Sequence, residues 1–463
     1  MQPNYQSITG HTRRLAAFSA ALTYDDIPPD VIVMVKRLLL DTLGCTLAAT
    51  TLGAGCRETA RAMVELGGRP ESTILGSASK VAAPNAALAN GALAHALNYD
   101  ALGPETGHIG VVCLTAPLAM TEALGDVTGR EFLAAAVVAS EVTARVTAAQ
   151  SRTGKPSSEK FMAGQLFGYF GAAAAAGNLL GFTADQMRSA FGIALMQTSG
   201  TMQVVLGGDP PAKAIYGAFP NHGGILAALL SKAGLDGQCD AIEGSAGIYE
   251  MFYRGEYQED ALTTALGADF LLMRTQFKPW PISSVAHPFI EAAGEIAKKI
   301  KPSSVKAVEI IGDRHIRPWC EPAEERQAPQ NPASAANSVP FGVAKALANG
   351  DLMLKDFTVE GLKDGTATAI AKRTSYKLEG NLQGGTVKVT TNDGQTHCVH
   401  IATPLGHSSK PMPYERLVKK FTECCSYAAN KLSAEHIRQL IDMIENLENV
   451  DPRRLAAIAG GTP

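Results

Sequence analysis

The chain has 463 residues, of which 46% are hydrophobic and 18% charged, and its formal net charge is −3. This length and balance indicate a folded protein with more than one sizeable core and exclude a disordered chain. No run of lysine and arginine is present, which argues against a nucleic-acid partner. The N-terminus lacks the apolar stretch of a secretory signal, and the longest apolar run (171–182) is too short to span a bilayer. The eight cysteines show no C-x-x-C spacing, so we expect a cytoplasmic protein without a membrane partner.

The first part of the chain is rich in alanine and apolar residues at helical spacing, and no period-2 strand pattern stands out. Proline in the first turn, as in Pro28-Pro29, is typical of a helix start. Glycine, proline and aspartate separate successive apolar stretches. The predicted helices are 8–25, 27–50, 55–67, 84–97, 111–124, 129–150, 164–180, 184–197, 212–233 and 238–243.

The pattern changes after about residue 270. An alternating run at 304–313 predicts a strand, and Asn392-Asp393-Gly394 between two further alternating runs is a strong hairpin signal. Helices are predicted beside these strands and again in the tail, at 287–300, 335–349, 412–428, 433–447 and 451–459. The sequence therefore predicts a mostly α protein: an all-helical main domain formed by both chain ends (1–269 and 406–463), with an inserted α+β domain (270–405).

The motifs that mark common cofactor sites are absent from the sequence. There is no glycine-rich dinucleotide or triphosphate loop, no H-E-x-x-H zinc motif and no G-x-S-x-G nucleophile turn. We accordingly predict neither a metal nor an organic cofactor.

One polar stretch interrupts the alanine-rich pattern, HALNYDALGPETGHIG at 95–110. Gly103-Pro104 ends the helix there. An amide, a phenol, two carboxylates and an imidazole lie on the two sides of this pair within eleven residues, namely Asn98, Tyr99, Asp100, Glu105 and His108. We interpret the stretch as one wall of an active site. The alternatives are that Asp100 forms a turn and that His108 caps a helix or lies in the core.

Two lysines lie in comparable settings. Lys213 follows a Gly-Gly-Asp-Pro-Pro loop and opens the predicted helix 212–233, where it could anchor a substrate carboxylate or act as a base of lowered pKa. Lys278 lies in QFKPWPISSVAHP, at the predicted domain junction, with Ser283 five residues later. Either could instead be an ordinary surface or loop lysine. A fourth polar stretch, 153–171, runs into a glycine-spaced helix.

Together these stretches resemble the MmgE/PrpD family, which includes 2-methylcitrate dehydratases, cis-aconitate decarboxylases and an iminodisuccinate epimerase. The resemblance covers nearly the whole chain and includes DIPPDVIVMVKRLLLDTLGCTLA, AALANGALAHALNYD, AKAIYGAFPNHGGILAALLSKAGLDG and FKPWPISSVAHPFIEAA. It implies a helical main domain, an inserted lid domain, a homodimer and a cofactor-free site between the domains.

The sequence departs from the dehydratase and decarboxylase pattern at several positions that carry acid–base groups in those members. Lys213, His108, Lys278 and Asp100 match the family. An aspartate is replaced by Asn98, another acid by Ala101, and three histidines by Met162, Tyr216 and Ser283.

These losses favour a reaction that needs fewer acid–base groups than dehydration. The lead hypothesis is a cofactor-independent epimerase of an iminodisuccinate-like dicarboxylate, with Lys213, His108 and Tyr216 as catalytic candidates. Lys278 and Arg145 would hold carboxylates, and Asn98, Asp100, Ser283 and Met162 would complete the substrate site. The alternatives are a 2-methylcitrate dehydratase, a cis-aconitate-type decarboxylase and a non-catalytic protein that binds a polycarboxylate.

Overall fold

The computed structural model describes residues 5–104, 107–150, 160–206 and 211–461. Helices dominate, as predicted, and the fold is mostly α. The chain clusters into two compact units. The helical unit comprises the residues up to Ala96, Asp100–Thr275 and the residues from Leu417 on; the α+β unit comprises Leu97–Tyr99 and Gln276–Arg416. The predicted domain boundaries were 269/270 and 405/406.

The N-terminal part of the helical unit contains thirteen helices within the described residues. They are α1 (His11–Ala21), α2 (Pro29–Leu52), α3 (Cys56–Leu66), α4 (Ala83–His95), α5 (Ile109–Leu124), α6 (Gly129–Ala148), α7 (Ala163–Leu179), α8 (Ala184–Leu195), α9 (Gln203–Leu206), α10 (Pro211–Ala214), α11 (Phe219–Lys232), α12 (Ile248–Tyr253) and α13 (Glu259–Thr263).

Small residues allow the central helices of this unit to approach closely. Helix α7 packs against α1, α5, α6, α8 and α11. A Cβ atom at Gly171 of α7 would lie 2.6 Å from the carbonyl oxygen of Ala139 in α6. Only glycine permits that separation. The many alanine and glycine residues of the sequence therefore allow the helices to pack closely.

Three predictions for this part are wrong in detail. The predicted helix 212–233 is divided into α10 and α11 by a 3₁₀ turn at Tyr216–Ala218, and no helix forms at 238–243. The domain is also not wholly helical, because two-residue strands β1 (Ser72–Thr73) and β2 (Lys80–Val81) pair antiparallel. Strands of two residues are too short to show an alternating pattern, so this pairing could not be predicted from periodicity.

The α+β unit contains helices α14 (His287–Ala297), α15 (Ala323–Gln327), α16 (Pro332–Ala335), α17 (Val339–Asn349) and α18 (Gly365–Ala371). Its strands are β3 (Val305–Gly312), β4 (Thr374–Leu378), β5 (Gly385–Thr391) and β6 (Thr396–Ile401), and their order in the sheet is β4-β3-β5-β6. Strand β4 runs parallel to β3, β5 runs antiparallel to β3, and β6 runs antiparallel to β5. The predicted hairpin at Asn392-Asp393-Gly394 joins β5 to β6, and Gly394 adopts a φ of 85°.

The chain ends in α19 (Tyr414–Ser426), α20 (Ala434–Glu445) and α21 (Arg453–Gly460), close to the predicted tail helices. These last helices are strongly amphipathic, with buried residues such as Leu417, Phe421 and Leu440 along one face. Within the described ranges no helix combines the length and the apolar character that a membrane span requires.

Candidate functional site

A buried carboxylate with two imidazoles around it forms the candidate site of the helical unit. Helix α4 ends at His95, and Asp100 follows five residues later with no exposed surface. The Nδ1 atom of His95 lies 3.2 Å from Oδ1 of Asp100, and Nδ1 of His108 lies 2.7 Å from Oδ2. An ionised carboxylate only accepts hydrogen bonds, so each Nδ1 carries the proton when the ring is neutral. Nε2 is then the unprotonated nitrogen of each neutral ring, the atom that takes up the proton when the ring becomes an imidazolium.

Hydrogen bonds hold the backbone at both ends of the loop between Asp100 and His108. The amide of Gly103 donates to the carbonyl of Gly107 at 2.6 Å. The amide of Ala101 donates to Oδ2 of Asp41, a buried residue of α2, at 3.1 Å. The backbone on either side of the loop therefore has fixed partners in the described structure.

Two of the ionisable groups have strongly shifted pKa values. Burial would raise the pKa of Asp100, but the neighbouring His108 and His95, by charge and by hydrogen bonds, lower it well below its usual range. Burial, and to a lesser extent the charge of Asp100, raise the pKa of the Tyr216 phenol well above its usual value. At neutral pH the site thus holds a carboxylate and a neutral phenol.

The three rings of the site contact one another at their edges. The ring centroid of His95 lies 4.3 Å from that of His108 and 4.4 Å from that of Tyr216. Two glycines make room for the imidazoles: a Cβ at Gly164, in the first turn of α7, would lie 3.3 Å from Cδ2 of His108, and one at Gly217 would lie 3.4 Å from the Cβ of His95. The backbone of two other segments therefore confines the imidazoles.

The donor set of this site is also one that could hold a metal ion. One ligand atom each from His95, Asp100 and His108 lies within 4.8 Å of the others. Two imidazoles and a carboxylate suit zinc or a similar divalent ion. Binding would displace the Nδ1 protons that now bridge to the carboxylate, or use the Nε2 atoms instead. The spacing of these three residues along the chain fits no metal motif, so this grouping could not be predicted from the sequence.

The structure brings three of the predicted residues together, His108, Asp100 and Tyr216. His95, which the sequence analysis did not select, joins them. The available signal was a histidine at the end of an otherwise apolar helix, directly before the selected polar residues. This signal is weak, because a single histidine on an apolar helix is more often part of the core.

Two other predicted residues lie on nearby parts of the same unit. Lys213 is half-buried in α10, and this helix ends at Ala214, two residues before Tyr216, so Lys213 does not open a long helix as predicted. Met162 precedes α7, and its amide donates to the carbonyl of Gly200 at 3.2 Å. It lies two residues before the glycine that faces His108.

Three predicted residues belong to the α+β unit. The ammonium of Lys278 is buried and donates to the carbonyl oxygen of Asn98 at 2.7 Å and to its side-chain oxygen at 2.6 Å. Asn98 adopts a left-handed φ of 50°, which asparagine tolerates better than most residues. Ser283 precedes a 3₁₀ turn, and its amide donates to the carbonyl of Ala336.

The prediction for Arg145 needs correction. Its side chain is 1% exposed and forms a 2.6 Å ion pair with Glu141, one turn earlier on α6. The other guanidinium nitrogens donate to the carbonyls of Leu262, Thr264 and Asp269. A guanidinium with this many protein acceptors has little capacity for a substrate carboxylate, so we assign Arg145 to the core. Glu105, the polar loop at 151–159 and residues 207–210 before Lys213 lie outside the described residues.

The chain is similar to known proteins over almost its full length. Residues 13–260 match the MmgE/PrpD N-terminal domain, and residues 280–447 match the MmgE/PrpD C-terminal domain. A cis-aconitate decarboxylase of Aspergillus terreus is 24% identical over 96% of this chain and 95% of its own length. A cis-aconitate decarboxylase-like protein of Aspergillus oryzae is 27% identical over 97% of each chain. With both of its family domains present and in order, the chain belongs to the MmgE/PrpD family.

Proposed function

We propose that this protein is a lyase that decarboxylates a small unsaturated tricarboxylate of the cis-aconitate type. The observation that carries the proposal is the 2.7 Å contact between Asp100 and His108, in a site that is largely shielded from water. The similarity to the two Aspergillus proteins favours a lyase over the epimerase that the sequence first suggested.

The chemistry of decarboxylation needs one well-placed proton donor. Cleavage of the bond between carbon and the carboxylate releases carbon dioxide and leaves the electron pair on the remaining carbon skeleton. A protonated His108 would deliver its Nε2 proton to a carbon of this skeleton. Solvent would then restore the proton of His108. Asp100 would stabilise the imidazolium through Nδ1 before transfer and keep the ring oriented.

Two further residues have proposed roles in the same reaction. Lys213 would bind a substrate carboxylate as a point charge, which is one of the two roles, anchor or base, that the sequence suggests for it. Tyr216, a neutral phenol with a raised pKa, would donate a hydrogen bond and would not act as a base.

The proposal is tested by incubating the protein with cis-aconitate in deuterated buffer. We expect release of carbon dioxide and one solvent deuterium in the product, measured by a carbon dioxide assay and proton NMR. His108→Asn should lower kcat at least about 100-fold, since a positioned acid contributes that much or more. His397→Asn, which changes a histidine of the sheet, is the control and should retain full activity. Full activity of His108→Asn would refute the assigned role.

Epimerisation remains a second candidate because specific residues favour it. Asn98 replaces an acid that the family resemblance leads one to expect, and its side-chain oxygen bonds Lys278. Met162 and Ser283 also lack acid–base groups. Of the candidate reactions, removal and return of a proton on the carbon beside a carboxylate needs the fewest such groups. Single-stereoisomer iminodisuccinate in the same deuterated assay would exchange its α-proton and change configuration. An absorbance rise with 2-methylcitrate would indicate dehydration, and binding without turnover of any acid would indicate a non-catalytic member.

A further inference from the structure

A second buried ion pair of the helical unit adjoins the candidate site. The ammonium of Lys420, on α19, donates to Oδ1 of Asp41, on α2, at 2.7 Å. The side chains of the two residues are 3% and 0% exposed. The other carboxylate oxygen of Asp41 accepts from the amide of Ala101 at 3.1 Å. The mechanism proposed above uses neither residue.

One peptide unit connects Asp41 to the candidate site. The amide that Asp41 binds belongs to the peptide bond whose carbonyl carbon is that of Asp100. Fixing this peptide limits the backbone rotation that would move the Asp100 carboxylate relative to His95 and His108. Buried ion pairs of this kind add little stability beyond a well-packed apolar pair, because desolvation offsets the attraction. A role in geometry is therefore the better account of why two charges occupy this position.

We infer that Asp41, held by Lys420, is a positioning residue that sets the Asp100 carboxylate between the two imidazoles. The inference rests on the proposed function only for its kinetic test. For the structure, the inference states that the hydrogen bonds from His95 and His108 to Asp100 depend on a hydrogen-bond acceptor at position 41.

The test separates the acceptor from the charges with two double variants. Asp41→Leu with Lys420→Met removes both charges and the acceptor. Asp41→Asn with Lys420→Gln removes both charges, but the amide oxygen at position 41 can still accept from Ala101 and its NH₂ group can donate to the glutamine. We expect the apolar pair to melt within a few degrees of the wild type and to lose about 10- to 100-fold in kcat, as misplaced catalytic groups do. The amide pair should keep kcat within about threefold of the wild type.

A matched control tests whether loss of any buried lysine has the same effect. Lys345→Met removes a buried lysine of the α+β unit that donates to Asp364. It should lower the melting temperature while leaving kcat unchanged. Lys420→Gln alone should destabilise the protein more than either double variant, yet keep more activity than the apolar pair because Asp41 still accepts from Ala101.

A second readout does not depend on any substrate. The Nδ1 protons of His95 and His108 should give downfield proton NMR signals, because they are hydrogen-bonded to a carboxylate and shielded from water. We expect these signals to persist in the amide pair and to shift or disappear in the apolar pair. A folded apolar pair with unchanged signals and kcat would overturn the inference. If no carboxylic acid is turned over by the wild type, the proposed function fails while the NMR comparison still decides the positioning role. If the apolar pair does not fold, altered signals in the folded amide pair would overturn the inference.

Discussion

Asp100 is the residue on which the candidate site depends, because it accepts hydrogen bonds from two imidazoles at once. A carboxylate has two acceptor oxygens and no proton to give, so it satisfies both Nδ1 donors. Its isosteric amide can accept from only one of them and presents an NH₂ group to the other. The identity of this residue therefore determines both the charge and the orientation of the histidines.

Asp100→Asn should lower the free energy of unfolding at pH 7 by about 1–3 kcal/mol, the cost of an unsatisfied buried donor. The pKa of Asp100 is lowered in the folded protein, so its stabilising contribution is present above the unfolded pKa of about 4 and is lost as pH falls through the folded pKa. Between about pH 5 and pH 2, the difference between wild type and variant in the free energy of unfolding should thus shrink as the pH falls below about 4. Urea unfolding across this range measures it, and Asp236→Asn at an exposed position serves as the control. A difference that grows as the pH falls below about 4 would contradict the lowered pKa of Asp100.

Tyr216 should remain a neutral phenol across the working range of the enzyme. Burial raises the pKa of its phenol, so ultraviolet titration of the wild type and of Tyr216→Phe should give curves that overlay up to about pH 11. A titration step near pH 10 that is missing in the variant would show that the phenol ionises and would reopen a role as a base. If the phenol donates a hydrogen bond to the substrate, the variant should lose about 100-fold in kcat.

At this scale the sequence predicted part of the site. Asp100, His108 and Tyr216 were selected, and the structure brings them together. His95 could not be distinguished from a core histidine, since only the fold shows that its Nδ1 meets the carboxylate. Arg145 was predicted to bind a substrate carboxylate. Its four acceptors come from α6 and from residues more than a hundred positions away, so only the fold shows that its guanidinium is already paired.

At the scale of elements, the first turn of α7 packs against His108 at Gly164. Gly164→Ala places a Cβ 3.3 Å from Cδ2 of His108 and 3.4 Å from its amide nitrogen, so the ring or the turn must move by a few tenths of an ångström. We expect kcat to fall about 3- to 10-fold, with stability unchanged or slightly higher because alanine favours helix.

The control for this variant is Gly365→Ala in α18, where a Cβ would meet no atom within 4 Å. Its kcat should match the wild type. Wild-type kcat in Gly164→Ala would mean that the histidine tolerates displacement, and that its position is not limiting for the reaction.

Most element boundaries could be predicted because periodicity and helix caps are local signals. Thr128 and Thr183, for example, cap α6 and α8 in the way their sequence context indicates. The division of the predicted helix 212–233 could not be predicted in the same way. Its residues are compatible with helix, but Tyr216 is buried against His95 and Gly217 lies against that ring. Tertiary contacts of this kind override local propensity.

At the scale of the whole molecule, the Arg145–Glu141 pair connects α6 to the segment around residues 262–272. Arg145→Met would leave Glu141 buried with only the amides of Leu271 and Leu272 as partners. We expect a loss of about 3–5 kcal/mol in the free energy of unfolding, with KM unchanged in the protein that remains folded. Urea unfolding and steady-state kinetics measure the two quantities. A raised KM with unchanged stability would restore Arg145 as a substrate-binding residue.

The contact between Asp41 and Lys420 spans 379 positions of the sequence, and this separation has a consequence for synthesis of the protein. At about 5–20 residues per second, a ribosome takes roughly 20 to 75 seconds to travel from one residue to the other. For most of that interval the nascent chain contains Asp41, His95, Asp100 and His108 but not Lys420, which pairs with Asp41. The helical unit therefore cannot reach its final form while the chain grows, and the geometry around Asp100 is completed only after α19 has left the ribosome.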